Sequence, residues 1–142
     1  MNLKKRLLKI LNMLNNMLNK IPLLEDFRKT IKRLEEVLKL EKTKVIRDSA
    51  IKRFELCFDL VWKSIKFFAQ KEGLECYSPK ECFKIAFQLK LIEHDEKWLE
   101  MIKDHNLTTH LYKEEQADMV YQKLPRYLEM FKSLLSQIEK LL

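Results

Sequence analysis

The chain has 142 residues, of which 46% are hydrophobic and 35% charged, and it contains one glycine and three prolines. This length is typical of a single domain with a core of its own. So few turn-forming residues exclude most all-β folds, and the charged content excludes a membrane-embedded bundle. Composition therefore predicts an all-α protein without a membrane-spanning segment.

The first predicted element is a basic amphipathic helix over residues 1–21, which we treat as a segment separate from a bundle domain over 22–142. Residues 1–24 carry five lysines and arginines and no acid, out of a net charge of +7 for the whole chain. The 4-3 spacing of a coiled-coil seam links Leu3, Leu7, Ile10, Leu14, Met17 and Ile21. We expect this helix to pack on the bundle or on a second subunit. The alternative is that it directs the chain to an anionic surface, either a membrane or RNA.

Pro22 is predicted to end that helix, and further helices follow it. They are expected over about residues 24–40, 45–72 and 78–90. A further helix contains Trp98 and runs into residues 105–110, and the last begins at about residue 113. Gly73 fits the end of the 45–72 helix, and Pro125 should kink or split the last one. The fold class predicted is all-α, an up-and-down helical bundle of about five to six helices.

The three cysteines, Cys57, Cys76 and Cys82, are odd in number and lack CxxC spacing. This pattern predicts free thiols in a reducing compartment. Cys57 lies on the apolar stripe of its helix and should be buried, whereas Cys76 lies beside a loop and should be exposed. No secretory signal is visible, so a cytoplasmic location is expected.

Most catalytic signatures are absent from the sequence. A single glycine leaves no phosphate-cradling loop, and no HExxH, CxxC or GxSxG motif occurs. We therefore expect no cofactor and no metal.

The segment from Asp104 to Tyr112 gathers two histidines, two hydroxyls, an amide and a tyrosine. On a continuous helix Asn106 and His110 would share a face, so the amide could orient the imidazole. His105 and His110 would lie roughly 140° apart around the axis. They could meet at one phosphate only if the helix ended between them or if two subunits faced each other. The competing interpretation is a polar helix end whose side chains cap carbonyls, and zinc binding by these residues matches no closed zinc pattern.

Several segments in this order resemble the nucleotidyltransferase substrate-binding proteins of the HEPN superfamily, over about residues 24–142. They are Arg53-Phe54-Glu55, Leu60-Val61-Trp62-Lys63, Ser78-Pro79-Lys80-Glu81 and Asn106-Leu107-Thr108-Thr109-His110-Leu111-Tyr112. The resemblance implies a homodimeric helical protein that forms a complex with a minimal nucleotidyltransferase. RNA or a nucleotide is a further partner to consider, and a membrane is not expected as one.

In several such pairs the helical protein is a ribonuclease toxin and the transferase is its antitoxin. Transfer of adenylate onto a tyrosine of the toxin is one way in which it is neutralised. The ribonuclease motif is an arginine followed a few residues later by a histidine. The resemblance places His110 at the motif histidine, Asn106 at the polar position and Tyr112 at the modified tyrosine. We also expect substrate or partner contacts for Asp104, Thr109 and Lys63.

The sequence departs from that motif at His105, where the family has arginine. Arginine offers a permanent forked charge to a phosphate, whereas histidine is mostly neutral at pH 7. Two interpretations follow. Either the protein is a non-cleaving partner subunit, or His105, Asn106 and His110 form a metal-independent ribonuclease site at a dimer interface.

Overall fold

The computed structural model describes residues 2–93, 95–111 and 113–141. These residues form no strand, which confirms the all-α fold class, and they fold into five α-helices and one short 3-10 helix. The helices are α1 (Leu3–Leu38), α2 (Lys44–Lys71), α3 (Pro79–Gln88), α4 (Asp95–Leu107), the 3-10 helix (Thr108–His110) and α5 (Glu114–Lys140).

The predicted helix end at Pro22 is wrong, because α1 runs through Pro22 without a break. A proline removes one backbone donor from a helix, but neighbouring residues can still hold the helix together. Directly after Pro22 the helix buries Leu24, Phe27 and Ile31, which belong to the main core. α5 is one helix through Pro125, so it is not split there, and Leu124, Tyr127 and Leu128 around the proline are buried.

The central helix is α2. The apolar stripe on which Cys57 lies is buried throughout, and it comprises Ala50, Phe54, Cys57, Val61, Ile65 and Phe68. The Thr43 side chain caps the start of α2 by accepting from the Ile46 amide at 3.0 Å. Gly73, with φ of +76°, follows the helix end and takes the left-handed conformation expected there.

Three long helices form the body of the bundle. α1 packs on α2 and α5, α2 also packs on α5 and α3, and α3 packs on α4. Phe54 of α2 lies in the middle of the aromatic core, with its ring centroid 5.5 Å from that of Tyr127 and 6.1 Å from that of Phe131. The ring of His105, near the C-terminal end of α4, lies against Phe54 and Phe58 in the middle of α2.

The cysteine prediction is wrong in part. Cys76 and Cys82 form a disulfide, and Cys76 is fully buried rather than exposed. The number and spacing of the cysteines do not predict this disulfide, because the distance between Cys76 and Cys82 depends on the conformation of the loop before α3. That loop is fixed by Ser78, which caps α3 by accepting from the Glu81 amide at 3.2 Å. Cys57 is a buried free thiol, as predicted, and burial raises its pKa to about 12.

No helix in the described part of the chain combines the length and the apolar character needed to cross a bilayer.

Candidate functional site

The polar segment lies where α4 gives way to the 3-10 helix. α4 ends at Leu107, so the helix end falls between His105 and His110. The Thr108 hydroxyl donates to the carbonyl of His105 at 2.6 Å, and the Thr109 hydroxyl donates to that of Asn106 at 3.2 Å. Both threonines therefore cap free carbonyls at the end of α4, and Thr109 is otherwise exposed.

His105 is directed into the bundle. Its ring stacks on Phe58 of α2, with centroids 3.9 Å apart and an angle of 17° between the planes. Its Nδ1 atom is buried and has no hydrogen-bond partner among the residues that the structure describes. Burial lowers the pKa of His105, although the Asn106 amide and the carboxylates of Glu55 and Asp59 act in the opposite direction. This environment favours a neutral imidazole.

His110 and Asn106 are exposed, in contrast to the half-buried His105. They do not share one regular helix, because Asn106 is in α4 and His110 ends the 3-10 helix. The fold brings the two histidines into one short polar segment, but it packs only His105 against the core. Tyr112, the predicted site of modification, lies outside the described residues.

Asp104 is nearly buried between α4 and α5. Its carboxylate accepts a hydrogen bond from the hydroxyl of the fully buried Tyr127, and it lies 3.1 Å from Nζ of Lys123. Although burial opposes it, hydrogen bonds to Asp104 and Glu100 raise the pKa of Lys123. Burial and the Asp104 hydrogen bond raise the pKa of Tyr127, which keeps its phenol protonated. Asp104 thus links α4 to α5 below the polar segment.

Lys63 is exposed on α2, where it pairs with Asp59 one turn earlier at 2.9 Å. Asp59 is one of the two α2 carboxylates that influence His105. The ion pair therefore lies on the α2 surface near the polar segment. An exposed pair of this kind contributes little to stability, which leaves Lys63 available for other contacts.

A cleft of about 290 Å³ lies between the first half of α2, the turn after α4 and the start of α5. Leu111 and Lys113 line it, and these are the sequence neighbours of Tyr112. Its other lining residues are Arg47, Asp48, Ile51, Lys52, Glu55, Thr108, Glu114 and Ala117. Both signs of charge are present, so the cleft suits a polar ligand or a partner surface better than an apolar molecule.

Arg47 forms the wall of this cleft and is not singled out by the sequence patterns. Its side chain is only 5% exposed and pairs with Asp48, Glu114 and Asp118. The hydrogen bond that it donates to Glu114 raises the pKa of Arg47, so the guanidinium is always charged. With three carboxylates around it, this cation joins the starts of α2 and α5.

The described residues contain no group of three histidine, cysteine, aspartate or glutamate side chains placed to hold a metal ion.

Comparison with known proteins adds to this geometry. Residues 23–140 match the family described as "Nucleotidyltransferase substrate binding protein like". The chain is 28% identical over 96 residues to "Probable ribonuclease HepT" of Haemophilus influenzae, covering 64% of this chain and 66% of that protein, just under two thirds of its length.

Two solved structures share the fold. A Thermus thermophilus protein is 34% identical, with a TM-score of 0.75, over 79% of this chain and 98% of that one. The second is described as a tri-AMPylated Shewanella oneidensis HEPN toxin in complex with the MNT antitoxin. It is 20% identical, with a TM-score of 0.70, over 85% of this chain and 96% of the toxin. The match to the family model over residues 23–140 confirms the sequence-based prediction of the family.

Proposed function

Because the chain belongs to the family of nucleotidyltransferase substrate binding protein-like proteins, we propose that it is the helical partner subunit of a minimal nucleotidyltransferase. The pair would be of the toxin–antitoxin type, as in the Shewanella complex. In this proposal the chain does not cleave RNA by itself. It presents a surface to the transferase, which transfers adenylate from ATP to a tyrosine hydroxyl of this chain and releases pyrophosphate.

One observation carries the non-cleaving part of the proposal, namely the packing of His105. A neutral ring stacked on Phe58 cannot make the permanent, forked contact to a phosphate that an arginine makes at this position in the family. Its buried Nδ1 is also turned away from any ligand in solution. Position 105 therefore lacks the arginine that the family resemblance implies for holding the RNA phosphate.

The proposed contact surface is the exposed polar segment together with the cleft beside it. Asn106, Thr109 and His110 are exposed there, and Lys63 lies on the adjacent face of α2. Leu111 and Lys113 bring the chain on both sides of Tyr112 to the cleft, which supports Tyr112 as the acceptor of adenylate. In this proposal Asp104 acts as a positioning residue through Tyr127 and Lys123.

The remaining parts of the proposal concern assembly and location. We propose a homodimer in which the polar segments of two copies face each other, because Asn106, Thr109 and His110 present exposed polar side chains there. A nucleotide enters the complex as the substrate of the transferase. We propose a cytoplasmic location, because the transferase would use a nucleoside triphosphate from the cytoplasm as its substrate. The cysteines no longer support this location, since Cys76 and Cys82 form a disulfide.

The proposal is tested by incubating the full chain with the transferase, ATP and Mg²⁺, and measuring its intact mass. We expect the mass to rise by whole adenylate units, and Tyr112→Phe to lose at least one of them. Tyr77→Phe, at an exposed tyrosine on the loop before α3, is the matched control. An unchanged wild-type mass, with the transferase active on another substrate, would overturn the role of acceptor.

The relative named as a probable ribonuclease makes cleavage the second candidate function. It predicts RNA cleavage in the presence of a chelator that disappears in His110→Ala. We expect no cleavage by the wild-type chain, and cleavage to appear, if at all, only in His105→Arg. Chelator-resistant cleavage by the wild type that His110→Ala abolishes would replace the non-cleaving interpretation.

A further inference from the structure

The first half of α1 is a feature that the proposed function does not use. The family match begins at residue 23, so residues 3–21 of α1, here called the N-terminal segment, precede it. Every described side chain from Asn2 to Asn15 is exposed. Large apolar side chains are among them: Leu3, Leu7, Leu8, Ile10, Leu11, Met13 and Leu14, each between 48% and 70% exposed.

Most of these apolar residues are not a continuation of the stripe that packs on the bundle, although Met13 falls in line with it. At about 100° per residue, Leu3, Leu7, Ile10, Leu11 and Leu14 occupy one arc of the helix. The buried stripe formed by Leu24, Phe27, Ile31 and Leu34 is centred about 120° away around the same axis. The bundle of the same chain therefore does not cover the apolar arc, which needs an external partner.

The charges of the segment indicate which partner fits. Residues 1–24 contain only basic charged residues. On the helical wheel Lys4 and Arg6 lie at the two edges of the apolar arc, where long stems can follow an apolar surface while the cations reach outward. The opposite side is polar and carries Lys5, Lys9 and the uncharged amide of Asn12.

We propose that the N-terminal segment binds in the plane of a bilayer with anionic headgroups, with its apolar arc among the acyl chains and its cations at the phosphates. A lipid interface offers an apolar interior and a negative rim together. A second copy would bring two wholly basic segments together without an acid on either, and RNA would leave the leucines in water. A membrane partner differs from the expectation drawn from the family resemblance. It agrees with the alternative that the basic helix directs the chain to an anionic surface.

The test is co-sedimentation of the full chain with vesicles of phosphatidylglycerol and phosphatidylcholine, compared with phosphatidylcholine alone. We expect binding to the anionic vesicles only, and a weaker interaction in high salt. Lys4→Gln/Arg6→Gln should reduce binding by more than about tenfold, since each cation contributes roughly a fivefold effect. Leu7→Asn/Leu14→Asn should abolish binding while the charge is unchanged.

The matched control is Lys29→Gln/Lys32→Gln, which removes the same charge from exposed positions in the second half of α1 and should bind like the wild type. Thermal unfolding of all variants checks that the bundle is intact. Equal binding to neutral vesicles, no binding by the wild type, or full binding by Leu7→Asn/Leu14→Asn would overturn the proposal. If the wild type does not bind vesicles but self-associates, and Leu7→Asn/Leu14→Asn loses this self-association, the apolar arc contacts a second copy. If Leu7→Asn/Leu14→Asn still binds RNA, the cations of the segment contact RNA.

Discussion

At the level of single residues, the packing of His105 limits the chemistry of the polar segment. The imidazole stacks on Phe58, and its Nδ1 is enclosed without a partner in the described structure. Burial lowers its pKa against the opposing influence of Asn106, Glu55 and Asp59. A protonated His105 would therefore be less favourable in the folded chain than in the unfolded one.

This difference predicts an acid-sensitive contribution to stability. The pKa of His105 in the folded chain lies below its ordinary value of 6.5, so its contribution is present above that pH and is lost as the pH falls. We expect His105→Phe, which keeps a ring on Phe58, to flatten the pH dependence of the free energy of unfolding between pH 7.5 and pH 5. The slope removed is at most about 1.4 kcal/mol per pH unit, the value for one proton.

Urea denaturation at several pH values measures this slope. Thr109→Ser, at an exposed residue of the same segment without an ionisable side chain, is the control and should keep the wild-type slope. A slope in His105→Phe equal to that of the wild type would show that His105 is not held neutral by the fold.

The burial of Arg47 could have been predicted from its position in the sequence. It lies in register with the buried stripe that continues through Ala50, Phe54 and Cys57. A charged residue at a core position requires an opposite charge nearby, and Glu114 and Asp118 are spaced one turn apart at the start of the last helix. The register predicts burial, but the choice of partner depends on how α2 and α5 cross.

At the level of elements, the helices and most of their ends follow from sequence, whereas the proline positions do not. Thr43, Ser78 and Gly73 mark helix ends through local hydrogen bonds and backbone preference, which are visible in a few residues. Pro22 and Pro125 depend instead on whether their neighbours are buried by other helices. Tertiary packing therefore overrides the local rule at both prolines.

The Cys76–Cys82 disulfide is the element-scale feature with the most direct test. It closes a short loop before α3, and a loop of this length is worth about 2 kcal/mol in the chain-entropy account. We expect Cys76→Ser/Cys82→Ser to lower the free energy of unfolding by about that amount.

Alkylation followed by intact-mass analysis checks the bond itself. In denaturant without reductant only Cys57 should react, and with reductant all three cysteines should react. In the native chain Cys57 should also resist, because it is buried and its pKa is raised to about 12. Three modified cysteines in denaturant without reductant would mean that no disulfide forms.

At the level of the whole molecule, the sequence predicted the all-α class, the family and the polar segment. It did not predict the cleft, because its walls come from α2, the turn after α4 and the start of α5, which are far apart in sequence. Nor did spacing reveal that His105 is packed inward while His110 is exposed. That difference depends on Phe58, a residue on another helix.

The central claim is that this chain is the partner of a minimal nucleotidyltransferase, and its binding constant is the most direct test. We would titrate the full chain with a transferase from the same genome by isothermal calorimetry. Lys113→Glu reverses a charge at the cleft, and Lys140→Glu makes the same change at the exposed far end of α5. We expect micromolar or tighter binding by the wild type and by Lys140→Glu, and binding weaker by about tenfold for Lys113→Glu. No association at micromolar concentration would contradict the account, and equal weakening by both variants would remove the cleft from the interface.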